Sequence, residues 1–242
     1  MWADCSAMEA ITRQYSMGIV RICGSVSALA RGVSDDPDAG LILCLRPHEH
    51  VYLFYALQRW LNHQRVLVVM DRMYYTDLCV VRYFGTGNYL LRDELKHLIK
   101  PTGGAPAVPE SWLRFCGQRG DYGRCHGPGW SAEMTPEDVL AGVNHYLRWH
   151  LPSGISHRQY DLVQLLATGM SGVRVAKTRQ LGVRAVSLCR KRVMERLGMG
   201  TSAVFLFRGV QLRTRLQRTP FIRSEVDLSE NESGGLTAVK RN

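Results

Sequence analysis

The chain has no apolar run approaching the roughly 18 residues that span a bilayer, and its start, MWADCSAMEAITRQYS, lacks the basic region and apolar core of a secretion signal. A cytoplasmic protein with no membrane partner is the expectation. Paired CxxC spacing is also missing. The seven cysteines (Cys5, Cys23, Cys44, Cys79, Cys116, Cys125, Cys189) are scattered, mostly within apolar stretches, which fits free thiols. The one local group, Cys116 with Cys125 and His126, has a nine-residue step that suits zinc poorly. No Cys-His-Asn signature, phosphate-binding glycine loop or HExxH is present, which argues against an enzyme and against a metal or other cofactor.

Acidic charge is scarce in one region. Between Ile155 and Arg223 there are fourteen Lys or Arg against two acids, Asp161 and Glu195, whereas the whole chain sums to +10. The basic charge is therefore local, and the remainder is slightly acidic. A concentrated basic segment is the electrostatic footprint of a nucleic-acid-binding module, because phosphate attraction and counterion release drive such binding. The alternative is a solvated face kept for solubility. With 242 residues, 45% hydrophobic and 21% charged, the chain has the composition of an ordinary globular protein and room for two modest domains.

In the first hundred residues, four short apolar runs read as buried strands: Ile19 to Cys23, Gly40 to Leu45, Arg65 to Met70 and Asn88 to Leu91. Between them Ser25 to Ser34 and Glu49 to Asn62 carry apolar residues at helical spacing. Alternating strands and helices predict a parallel α/β sheet. Pro101 to Trp130 mixes Gly, Pro, aromatic and basic residues without a period and reads as a linker or long loop, with Trp112, Phe115 and Trp130 able to pack. A helix follows, capped by Thr135 with Pro136 at its first position, and runs to about His150.

Four helical segments then follow in tight order. Ser156 caps the first, which Gly169 ends. Gly172 to about Arg179 is the second, Val183 to Leu197 the third, and Thr201 or Ser202 caps a fourth reaching about Leu212. On the third, Val186, Cys189 or Arg190, Val193 and Leu197 form the inward stripe. Arg184, Ser187, Leu188, Lys191 and Arg192 are left outward. From Arg213 the tail turns polar, and its last twenty or so residues are expected to be disordered.

The block GMSGVRVAKTRQLGVRAVSLCRKRVMERLG, Gly169 to Gly198, resembles the core of the LuxR-type (GerE-like) helix-turn-helix family. Leu165, Leu166 and Ala167 before Gly169, Ser171 as a cap, Ala176, and Val186, Val193, Met194, Glu195, Leu197 and Gly198 carry the likeness. It implies a four-helix DNA-binding domain whose third helix enters the major groove of double-stranded DNA. It further implies base contacts from the positions of Ser187, Leu188 and Lys191, although Ser187 departs from the usual basic residue. Arg184, Arg190 and Arg192 on that helix, with Arg174 and Lys177 on the second, complete the candidate DNA-binding set. His157 and Gln159 depart from the family's usual Pro and Glu. Arg179 stands at a usually apolar position and must snorkel outward, pair, or distort the domain. A fragment from about Ser153 onward is expected to bind DNA by itself.

More faintly, Phe84 to Ile99 resembles the fifth strand and following segment of a response-regulator receiver, with Arg92 at the place of the usual lysine. Asp4 matches the acidic end of a first strand. The strand Leu41 to Pro47 offers Cys44 where a receiver carries its phosphoacceptor aspartate, and Asp35, Asp36 and Asp38 precede it in a loop. Asp71 occupies about the place of the switch Thr or Ser, or else caps a helix. The expected fold is thus an α/β receiver-like parallel-sheet domain (1–100), a linker and connecting helix (101–152), an all-α LuxR-type helix-turn-helix domain (153–213) and a basic, then disordered tail (214–242). The resemblance implies a phosphorylation-independent transcription regulator, similar to enterobacterial auxiliary regulators of capsule and fimbriae. Such a protein would pair as a homodimer or as a heterodimer with another response regulator, and the residues around Tyr74 to Tyr83 and Asn88 to Leu95 either form that contact or simply cover the sheet. A partner-binding auxiliary regulator with little DNA affinity of its own is the second reading. An acyl-lactone-type sensor fits the strand pattern less well.

Overall fold

In a computed structural model, which describes residues 2–14, 19–36, 38–61, 64–99, 108–117 and 133–222, three of the four apolar runs pair as strands. They are β1 (Leu41–Cys44), β2 (Val66–Met70) and β3 (Tyr89–Leu91), all parallel, in the order β1-β2-β3. Leu41 lies opposite Val66, and Val68 opposite Tyr89. β2 is buried along its whole length because helices cover both faces of the sheet. Its Val66, Val68 and Met70 join one core with Leu41 and Leu43, while Leu67 and Val69 join a second with Leu90. The fold is mixed α/β and mostly helical, with eleven α-helices among the described residues.

The second core is closed by α1 (Trp2–Gln14), α5 (Arg92–Ile99) and α6 (Glu110–Gly117), through Met8, Ile11, Leu95, Leu98, Trp112 and Phe115. α6 lies within the stretch expected to be a linker. Trp112, Phe115 and Cys116, at i, i+3 and i+4, are the apolar stripe that makes it helical. Trp130, Cys125 and His126 lie outside the described residues. Asp4 belongs to α1, so it does not end a strand. The run Ile19 to Cys23 is not a strand either: Ile19 is 93% exposed and Ile22 58%, with no ladder partner among the described residues. Strand propensity is realised only against a neighbouring strand, and this run instead leads into the cap of α2 (Val26–Asp35), where Ser25 Oγ accepts from Ala28 N at 3.1 Å.

The first core continues through α2, α3 (Val51–Leu61) and α4 (Tyr75–Tyr83) into α7 (Pro136–Trp149), α8 (His157–Ala167), α9 (Gly172–Arg179), α10 (Val183–Arg196) and α11 (Ala203–Gly209). The capping signals hold: Thr135 and Asp138 exchange bonds at the start of α7, and Ser156 with Gln159 at the start of α8. The fourth C-terminal helix is shorter than its expected end near Leu212, stopping at Gly209.

The junction between the sheet and the C-terminal helices is polar at its centre. The turn Pro47–Glu49 holds Glu49, 3% exposed, whose carboxylate accepts from Arg208 of α11 at 2.6 Å and lies 2.7 Å from Arg218 Nε. Beside it His48 Nδ1 meets Asp77 at 2.7 Å, both fully buried. The stretch after α11 runs back over this turn. Gln217 bonds His48 O at 2.8 Å and Val51 N at 2.9 Å, Thr219 bonds His50 at 2.8 Å, and Phe221 stacks on Tyr55. The described part of the tail is therefore packed, ending at the buried Ile222; residues 223–242 lie outside the described ones.

Candidate nucleic-acid interface

α10 is fixed by its apolar side. Val186, Val193, Met194 and Leu197 are buried against α8 and α9, which contribute Leu162, Val163, Ala167, Val175 and Ala176. Cys189 takes the half-buried position, and Arg190, the other residue considered for the inward stripe, points to solvent. Burial pushes the Cys189 thiol up, with Arg192 pulling weakly the other way. Met194, fully buried beside Val193, widens the inward stripe.

α9 ends at Gln180, the one described non-glycine residue with positive φ (53°), and Gly182 begins α10. Ser171 Oγ caps α9 by accepting from Arg174 N at 3.3 Å. The short turn between the two helices carries Leu181 exposed. Further back, Tyr160 of α8 donates to Val210 O at 2.7 Å, and Arg213 donates to Ala167 O at 2.8 Å, so the end of α8 is held by the segment after α11.

These contacts sort the basic residues into two groups. Arg208 and Arg218 are engaged by Glu49, Arg213 and Arg215 stack on Phe207, and Arg196 bonds the carbonyl of Gly154. They fasten the fold. The other group, Arg174, Lys177 and Arg179 on α9 with Arg184, Arg190, Lys191 and Arg192 on α10, is exposed. Among the described residues the only carboxylate against these seven is Glu195, 3.9 Å from Lys191 on the exposed side of α10. Ser187 and Leu188 are exposed between them. All eight residues picked from the sequence thus lie on the solvent side of two adjoining helices. Arg179, expected to snorkel outward, pair or distort the domain, is exposed and adds to the basic surface. An exposed, unneutralised cationic surface on a rigid helix pair suits a polyanion.

At the end of the sheet the charged side chains pair with one another. β1 ends in Cys44, Leu45 and Arg46 follow it, and Arg46 binds Asp71 with two bonds, at 3.2 and 2.7 Å. Partial burial pushes the Asp71 carboxyl up, but Arg46 outweighs it and holds the pKa below the usual value. Asp71 is not the cap of α4: Tyr74 holds that position, and its backbone N–H donates to Asp77 Oδ2 at 2.9 Å. The face from Tyr74 to Tyr83, expected to meet a partner, is filled by the chain itself. α7 and α11 cover α4, with Tyr83 against Tyr146 and Tyr74 against Phe205. Its Tyr and Val content served an internal contact, which sequence alone cannot separate from an external one.

The junction at Glu49 was not visible in the sequence, where Glu49 reads as the start of a helix and Arg208 and Arg218 lie more than 150 residues away. Comparison with models of protein families and with curated proteins finds no match to this chain.

Proposed function

We propose that this chain is a sequence-specific DNA-binding transcription regulator, with α8 to α11 as a LuxR-type helix-turn-helix domain and α10 as the helix that enters the major groove. The observation that carries the reading is the exposed basic surface of α9 and α10, built over an apolar core while Arg196, Arg208, Arg213, Arg215 and Arg218 are spent on packing. Chemistry of this kind neutralises phosphates and presents side chains to base edges.

The N-terminal half is, in the same proposal, a degenerate receiver that works without phosphorylation. The parallel order β1-β2-β3 is compatible with the last three strands of the doubly wound order 2-1-3-4-5. Receiver chemistry needs a carboxylate nucleophile and an acidic pair to hold Mg²⁺. The end of β1 supplies Cys44 and Arg46 instead, and the acid nearest to it after β2, Asp71, is tied to Arg46. Control then comes from abundance or a partner, in the cytoplasm, with fimbrial or capsule genes as the targets the resemblance implies.

Footprinting of genomic fragments with the full chain tests the proposal. Discrete protected stretches, lost with Lys191→Ala, are expected. Absence of protection at about 50 mM salt, with or without a second regulator, overturns it.

A further inference from the structure

The outer side of α9 and α10 is a helix face without a cover among the described residues. Its seven cations stand against Glu195 alone, because the one other acid from α8 to Ile222, Asp161, is engaged by Arg148. Val173, Leu181, Val183 and Leu188 are exposed among these cations, by 65, 45, 47 and 46%. A single exposed apolar residue is ordinary, whereas four of them interleaved with cations complement a ligand in which acidic and apolar groups alternate. The chain itself carries such a sequence. After Ile222, Arg223 and Ser224 come Glu225, Asp227, Glu230 and Glu232 with no cation between them, and Val226 and Leu228 alternate with the first two acids.

This segment starts from a fixed point. Phe221 stacks on Tyr55 and Ile222 is buried with Ala30 and Ala56, so packing anchors the chain up to that residue. Nine residues before Ile222, Arg213 bonds Ala167 O at the end of α8, from which the chain passes into α9. The path from Arg213 to Ile222 covers at most about 30 Å, and the stretch from Arg223 to Glu232 can span about 35 Å, so the segment is long enough to return. We propose that Glu225 to Glu232 docks on the basic face of α9 and α10 of its own chain, and that polyanions displace it there. A ligand on a short tether acts at about 1 mM; held with an intrinsic Kd of about 0.1 mM, it occupies the face about nine-tenths of the time and weakens any competitor about tenfold. The docking stands apart from the DNA-binding reading, which supplies only the competitor.

The test uses the full chain and a carbodiimide, which joins a carboxylate to an amine only where the two touch. α9 and α10 carry one lysine each, Lys177 and Lys191, and the chain's others are Lys96, Lys100 and Lys240. At about 50 mM salt, where charge is weakly screened, peptides joining Glu225–Glu232 to Lys177 or Lys191 are expected. The link between Lys191 and Glu195, 3.9 Å apart, serves as internal control. In a mixture of isotope-labelled and unlabelled chains the links should fall within single copies, and excess random-sequence duplex should suppress them. Combined Glu225→Gln, Asp227→Asn, Glu230→Gln and Glu232→Gln should raise affinity for that duplex about tenfold. Combined Asp35→Asn, Asp36→Asn, Asp38→Asn and Glu137→Gln, which changes net charge equally at exposed sites elsewhere, should raise it far less. Absence of tail links to Lys177 and Lys191 overturns the inference, as do links formed only between copies or an equal gain from the two sets of substitutions. Tail links in a chain that binds no duplex uphold the docking and overturn the DNA-binding reading instead.

Discussion

Replacing Glu49 by alanine should unlock the contact between the sheet and the C-terminal helices. Its carboxylate is 3% exposed and is met by Arg208 at 2.6 Å and Arg218 Nε at 2.7 Å, with Arg46 at 3.7 Å. Removing one partner of a fully buried ion pair costs about 3–5 kcal/mol, since the other charge is left without compensation. Arg218 is more than half exposed and Arg208 about a quarter, so water recovers part of that loss. A value near the lower end, about 3 kcal/mol, is expected for Glu49→Ala. Glu49→Gln, which keeps the shape and one acceptor, should cost about 2 kcal/mol, the worth of hydrogen bonds to a charged group. Urea unfolding of the full chain measures both, and the Tm should fall by roughly 2–4 °C per kcal/mol for a chain of this size. Asp38→Asn, at an exposed turn, is the control and should change nothing measurable. A loss below about 0.5 kcal/mol for Glu49→Ala would refute the reasoning, because surface substitutions away from any such feature do as much.

Burial lowers the His50 pKa to about 4, where its Nδ1 bonds Thr219 at 2.8 Å. The unfolded chain therefore binds the extra proton first, and stability should fall as pH drops from about 6.5 towards about 4, by up to about 3 kcal/mol in all; His50→Gln should flatten unfolding midpoints across that window. On the DNA side, Lys191→Ala and Arg184→Ala should each weaken binding to a selected site by about 1–3 kcal/mol while sparing other sequences. Arg174→Ala and Lys177→Ala on α9 should lower affinity for all duplexes alike, as titrations on specific and random DNA will tell. Incubation with acetyl phosphate should give no acid-labile phosphoaspartate and no change in DNA affinity; labelling of any aspartate contradicts the degenerate-receiver account.

The parts legible in the sequence were those set by local rules. Ser25, Thr135, Ser156, Ser171 and Ser202 announce helix starts because a hydroxyl can accept an orphan amide. The stripe Val186, Val193, Leu197 follows from helical period, and with it the solvent side of α10. What failed depended on distant partners. Ile19 to Cys23 has strand composition without a strand beside it, and α4 shows an apolar face whose cover arrives with α7 and α11, some sixty residues or more later. Glu49 with Arg208 and Arg218, and Tyr160 with Val210, likewise join segments that no local pattern links. The same shared core bears on the expectation that a fragment from Ser153 stands alone. Tyr75 against Tyr160 and Met199 against Tyr75 N lie across that cut, so the full chain is the proper material for binding work.

The most direct test of the central claim is the affinity of the full chain for duplex DNA as a function of salt. If the exposed cations of α9 and α10 other than Arg184 and Lys191 meet the backbone, log affinity should fall against log salt with a slope of about −4 to −5, corresponding to about five phosphates. Binding that is absent at about 50 mM salt, or that does not change between about 50 and 200 mM, would contradict it.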